Sequence, residues 1–172
     1  MYAYLRLLRM FFVHAFRRKQ VINPLEEQTW RVRPGIWDID VYPEVNNGRH
    51  FVLFDLARYD LALKIGLFRW VRKKKAAFVV GGSSIRYRHR LRPWRKMEVK
   101  TKLVGMDERF FYFQQRTVQS GRTCSSALLR TGVRKNGAIL TSKVLDGIGL
   151  EIEPFMEPWV EQWNQWDEGR PS

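Results

Sequence analysis

Two aspartates separated by one residue, Asp38 and Asp40, open a stretch that continues through Glu44, Asn46, Asn47, Gly48 and His50. Carboxylates just before a helix start suit hydrolytic chemistry. Backbone N–H groups and the positive end of the helix dipole polarise a carbonyl or hold an oxyanion, while a carboxylate attacks or activates water. The same residue types also cap helices and form turns, and on pattern alone that use is the commoner one. His50 falls in the first helical turn, as either a proton shuttle or a structural hydrogen-bond donor. The single cysteine, Cys124, excludes an intramolecular disulfide and a multi-cysteine zinc site. Lying between Thr123 and Ser125 in ordinary strand sequence, it reads as a small buried hydrophobe.

The elements that must position these residues follow from periodicity. Met1 to Gln20 reads as an amphipathic helix, apolar and aromatic (Tyr4, Leu5, Leu8, Phe11, Phe12, Phe16), interrupted by Arg6 and Arg9 and closed by Arg17, Arg18 and Lys19. It suits a membrane interface or packing on the domain or a second subunit, and the sequence leaves both open. Pro24 marks a connector, so residues 1–28 form one unit, 29–150 the main domain and 151–172 a tail. Trp30 to Ile39, broken by Pro34-Gly35, reads as an edge strand. From the capping asparagines Asn46 and Asn47, Phe51, Phe54, Leu61 and Ile65 recur at helical spacing, with Gly66 as a stop and a further turn or two before the basic run Arg72 to Lys75. Period two then takes over. Four strands are expected, over Ile85 to Leu91, Met97 to Leu103, Phe110 to Val118 and Thr123 to Val133, joined as a meander at Arg92-Pro93, Gly105 to Asp107 and Ser120-Gly121. Trp159, Trp163 and Trp166 predict a short C-terminal helix. The order is α+β, an antiparallel sheet around a long central helix.

The chain has 172 residues, enough for one domain, and hydrophobic residues at 45% supply its core. Its formal charge of +14 calls for an anionic partner: a nucleic acid, a phospholipid surface or a phosphorylated ligand. No nucleic-acid motif accompanies the charge, which places that partner last. No run reaches the roughly 20 apolar residues of a spanning helix. The N-terminal charges lack the order of a secretory signal, so the segment is expected to be retained. A cytoplasmic location follows, with peripheral attachment to the inner face of a membrane as the further option.

The stretch Asp38-x-Asp40, Asn46-Asn47, then Asp55-Leu56-Ala57-Arg58 resembles the signature of hotdog-fold thioesterases related to 4-hydroxybenzoyl-CoA thioesterase. The likeness continues through Gly66-Leu67-Phe68, Ile85 to Arg88, Leu91-Arg92-Pro93, Leu103 to Glu108 and Phe111-Tyr112, covering about Trp30 to Val133. Within that superfamily it is nearest to members with an N-terminal hydrophobic segment. The resemblance implies a hotdog fold and hydrolysis of acyl-CoA or a similar acyl thioester. The catalytic carboxylate would be Asp40, with Asn47 and Gly48 at the helix N-terminus binding the thioester oxygen and Asp38 holding the loop. Asn46, His50, Phe51 and Phe54 would lie against the substrate, and Arg86 and Arg88 against CoA phosphates. Phe51, Phe54 and Phe78 would line a medium or long acyl chain. No cofactor and no metal are implied, and the assembly would be a homodimer or homotetramer with sites near the interface. Two positions depart from the pattern: Pro43-Glu44 stands for Gly-His, and His50 for a Tyr. They keep a noncatalytic acyl-thioester or lipid-binding protein at a membrane surface in view.

Overall fold

In the computed structural model, which describes residues 2–16 and 22–171, a seven-stranded antiparallel sheet curls around one long helix. That helix, α2 (Asn47–Lys64), starts where its sequence provides a cap: the Asn46 side chain accepts a hydrogen bond from the Gly48 amide at 2.9 Å. It buries Leu53, Phe54, Leu56, Ala57, Leu61 and Ala62, so that several of its faces are covered, as the scattered apolar positions predict. Gly66 ends it in the left-handed region at φ +81°, which a residue without Cβ adopts at little cost, and α3 (Leu67–Lys74) follows at once. Much of the expected basic run therefore lies inside α3, in its last turn.

The strands are β1 (Gln28–Val32), β2 (Ala77–Tyr87), β3 (Met97–Met106), β4 (Phe111–Gln119), β5 (Arg122–Lys135) and the two-residue β6 (Ala138–Ile139) and β7 (Phe155–Met156). Their main order is β1-β3-β4-β5-β2, with β6 beside β5 and β7 beside β3. Three expectations are corrected here. The first strand stops at Val32 instead of Ile39, because Pro34 and Gly35 break the ladder and Ile36–Asp38 forms a 3-10 turn. β2 begins at Ala77 and ends at Tyr87, so His89 and Leu91 lie beyond it. The amides of Arg88 and His89 both donate to the Cys124 carbonyl, and the chain then drops Leu91 into the core at 1% exposure. β2 and β3 form no hairpin at Arg92-Pro93: β2 pairs with β5, Ala77 opposite Arg134 and Tyr87 opposite Ser125, at the far edge of the sheet from β1.

The inner face of the sheet packs Met97, Val99, Ala127 and Leu129 against Leu53, Phe54 and Ala57 of α2, and Leu103, Phe111 and Val133 against α3 and α4 (Ser142–Ile148). The outer face alternates, as a pleat requires, and its Val104, Tyr112 and Leu128 are covered by Val160 and Trp163 of α5 (Pro158–Glu168). Arg130 of β5 fastens that helix through Asp167 at 2.8 Å and Asn164 at 2.6 Å. The hotdog architecture implied by the sequence is thus the one adopted, with an extra helix outside.

The N-terminal helix α1 spans Tyr2–Ala15; Met1 and residues 17–21, with the Arg17-Arg18-Lys19 cluster, lie outside the described residues. Arg6, Met10 and His14, four residues apart on one face, meet the domain, and Phe11 packs edge-on against Phe68 of α3. Tyr4, Leu5, Leu8, Phe12 and Phe16 point to solvent, each more than 60% exposed. Its inward face mixes the polar pairs with Met10 and Phe11, while its outward face is largely apolar beside exposed Arg9, unlike the polar outer face of an ordinary surface helix.

Candidate active site

The loop from Ile39 to Val45 is pinched by an antiparallel bridge between those two residues and leads directly into α2. Inside it Asp40 is held from both sides. Its Oδ2 accepts from Asn46 Nδ2 at 2.9 Å, its Oδ1 from the Val41 amide at 2.8 Å, and its own amide donates to the Glu44 carbonyl at 3.0 Å. Asn46 does three things at once: it orients Asp40, caps α2 through Gly48, and donates its amide to the Asp38 carbonyl at 2.8 Å. Asp40 is half-buried while Asn47 and Gly48 are exposed, so the carboxylate and the first turn of α2 share one accessible corner. Of the two amides predicted for an oxyanion, that of Gly48 is engaged by the cap.

Asp38 is fully buried. Its Oδ2 accepts from the Gly35 amide at 2.8 Å and from Arg6 Nη2 at 2.9 Å. Burial pushes its pKa up, against the opposing pull of the Gly35 amide, Arg6 and Arg49. These contacts tie the segment before the Asp40 loop to Gly35 and to α1. Glu44, the residue at the departure from the family pattern, pairs with exposed Arg90 at 3.2 Å.

His50 is 2% exposed, and its Nδ1 shares a proton with Ser125 Oγ at 2.8 Å, which in turn meets Thr117 Oγ1 at 2.8 Å. Burial lowers its pKa to about 4, so the ring is neutral near pH 7 and sits in a structural polar cluster. Phe51 is half-buried against the core and Phe54 is fully buried within it. Arg86 and Arg88 are exposed on either side of Tyr87. The pleat turns Arg86 away from the face on which Tyr87 lies against His50, their rings 5.2 Å apart and perpendicular. The Tyr87 hydroxyl donates to the Asn47 carbonyl at 3.0 Å. Sequence reasoning did not bring Tyr87, Ser125 or Arg6 to this site; all three arrive through long-range packing, and no local spacing announces them.

A second feature lies at the other end of β2. An apolar cavity of about 130 Å³ runs between the later half of α2 and the sheet, lined by Tyr59, Ala62, Phe78, Val80, Phe113 and Thr131 among others, with Asp55 and Arg58 in its wall. Of the expected acyl-lining residues it includes Phe78. Arg58 is tied to Gln115 and Asp55.

Comparison with known proteins bears on this arrangement. A family model described as the thioesterase-like superfamily matches residues 34–148. Protein THEM6 of Danio rerio is 37% identical over 105 residues, which make up 61% of this chain and 52% of that protein. The chain spans about half the length of the curated relatives it matches. A probable thioesterase from Bartonella henselae superposes with a TM-score of 0.62 at 18% identity, over 66% of this chain and 97% of that one. SAV2348 from Staphylococcus aureus, solved in complex with CoA, gives a TM-score of 0.59 at 10% identity, over 89% and 91%. At these identities the structural likeness speaks for the fold.

Proposed function

The chain belongs to the thioesterase-like superfamily, and from that premise we propose that it hydrolyses acyl-CoA or a similar acyl thioester. Asp40 either attacks the thioester carbonyl, releasing the thiol and leaving an anhydride for water to cleave, or takes a proton from the attacking water. The N-terminal end of α2 polarises the carbonyl oxygen, with the Asn47 amide as its donor, that of Gly48 being engaged by the cap. The observation that carries this reading is the double clamp on Asp40, from the Val41 amide and from Asn46, the residue that caps α2. It fixes a carboxylate where the helix dipole acts. Release of thiol from a panel of acyl-CoA chain lengths, by the wild type and by Asp40→Asn, tests it. Turnover abolished in a folded variant supports the assignment, and equal turnover overturns it.

A homodimer completes the proposal. Among the described residues the outer edge of β2 has no partner strand, and antiparallel pairing of two such edges would join the sheets. The Asp40 corner touches the Tyr87 end of β2 and the apolar cavity touches the Phe78 end, roughly 30 Å away along the strand at about 3.3 Å per residue. Pairing about a two-fold axis sets the cavity of one protomer beside the Asp40 of its partner. The cavity is close in size to an apolar cavity of about 150 Å³ that admits benzene. It holds one segment of an acyl chain, and a medium or long chain extends beyond it. Exposed Arg86, Arg88 and Arg92 suit the phosphates of CoA.

Membrane contact belongs to the same proposal. The outward face of α1 is aromatic and aliphatic, in a chain of formal charge +14, which suits an anionic lipid surface. No described helix is long and apolar enough to cross a membrane. A noncatalytic acyl-thioester or lipid-binding role is favoured by one observation, the engagement of the Gly48 amide by its cap. Acyl-CoA binding without turnover on any chain length would select it.

A further inference from the structure

The inward face of α1 poses a problem in electrostatics. Arg6 has its side chain 15% exposed and points into the domain, where loss of hydration disfavours the charge. It is compensated by a specific arrangement: Nη2 donates to the Arg33 carbonyl and to Asp38 Oδ2, each at 2.9 Å. From Asp38 the contacts run on through its backbone to Asn46. The Asn46 amide donates to the Asp38 carbonyl at 2.8 Å, the Asn46 side chain donates to Asp40 at 2.9 Å, and the same side chain receives the Gly48 amide at 2.9 Å. One guanidinium on the N-terminal helix is therefore connected, through the side chains and backbones of Asp38 and Asn46, to the proposed catalytic carboxylate and to the first turn of α2.

We infer that Arg6 is a positioning residue for the Asp40 loop, so that α1 is a working part of the site and its docking sets the geometry of the carboxylate. The inference rests on the reading of Asp40 given above only for its kinetic consequence; the loop geometry is independent of it. Removing Arg6 leaves Asp38 buried with one donor fewer, and the loop must shift or take up a proton to relieve the charge. Either change reaches Asn46 and then Asp40. The second pin of α1, His14 Nε2 on Asp60 Oδ1 at 2.8 Å, ties the other end of the helix to the later half of α2, away from the loop. It separates a positioning role from a general need for the helix.

The experiment uses the full chain as wild type, Arg6→Gln, Arg6→Lys, Asp38→Asn, the double variant Arg6→Gln/Asp38→Asn, and His14→Ala. Amide hydrogen exchange is followed over residues 35–48, and steady-state hydrolysis is measured beside it. Arg6→Gln is expected to speed exchange in that segment and to lower kcat by roughly tenfold or more with KM little changed, since a misplacement of about 1 Å near the reacting group costs on the order of 10²-fold. Arg6→Lys, which keeps the charge, restores part of the loss. The double variant is no worse than the worse single one, as coupled partners require. His14→Ala leaves kcat and loop exchange close to wild type. Loop exchange unchanged in both Arg6 variants overturns the inference, as does a His14→Ala variant that reproduces the whole effect. A wild type that hydrolyses no thioester defeats the proposed function, while the exchange arm still decides the role of Arg6.

Discussion

At the scale of single residues, two side chains with similar sequence credentials separate on burial and partners. Asp40 sits half-exposed with both oxygens directed by donors, and its replacement by Asn keeps the shape while removing the proposed nucleophile or base. Loss of such a group lowers the rate by roughly 10²–10⁴-fold, with little change in melting temperature. His50 is the opposite case. Burial holds its folded pKa at about 4, below its ordinary value of 6.5, so the native state favours the neutral ring. The resulting stability is present above pH 6.5 and is lost as pH falls toward 4, by about 3 kcal/mol in all. Chemical denaturation measured between pH 7 and 4 should show this decline, and His50→Gln should flatten it. The motif gave Asp40 its place because capping and catalysis draw on the same local geometry. It could not distinguish a histidine facing Ser125 from one facing solvent, since that depends on β5, some 75 positions later.

Among the elements, the central helix and the strands β3 to β5 were legible because their periodicity is local and their turns are short. The placement of β2 was not. Its turn signal at Arg92-Pro93 is real, yet the strand pairs with β5 across the sheet, and no residue within the loop states that choice. The same placement leaves an eleven-residue strand with one edge unpaired among the described residues, and Val80 of that strand is 55% exposed. A charge there opposes edge pairing. Val80→Lys is expected to convert the proposed dimer to monomer at micromolar concentration, read by sedimentation velocity. Dimer retained in that variant would remove β2 as the joining edge. The tail was legible as a helix from its tryptophan spacing, while its anchor, the buried pair of Arg130 with Asp167, joins residues too far apart for any pattern to show.

For the whole molecule the distribution of charge matters more than its sum. Five of the 17 acidic residues, Asp107, Glu108, Asp146, Glu151 and Glu153, line a single groove of about 560 Å³. The remaining surface, including α1 and the basic end of α3, is therefore more cationic than the net charge suggests. Co-sedimentation with vesicles should follow: binding to anionic vesicles that weakens in high salt, and a large loss in Leu8→Asp/Phe12→Asp, which spoils the apolar face of α1. Binding equal to wild type in that variant would assign the face to another occupant. One further consequence belongs to synthesis. Ala77 finds its partner only when Arg134 has been made, and Tyr87 only when Ser125 has, so on the ribosome β2 emerges long before β5. At roughly 5–20 residues per second the nascent chain carries an unpaired strand, apolar over Ala77 to Val80, for several seconds, and that interval is when a chaperone has most to protect.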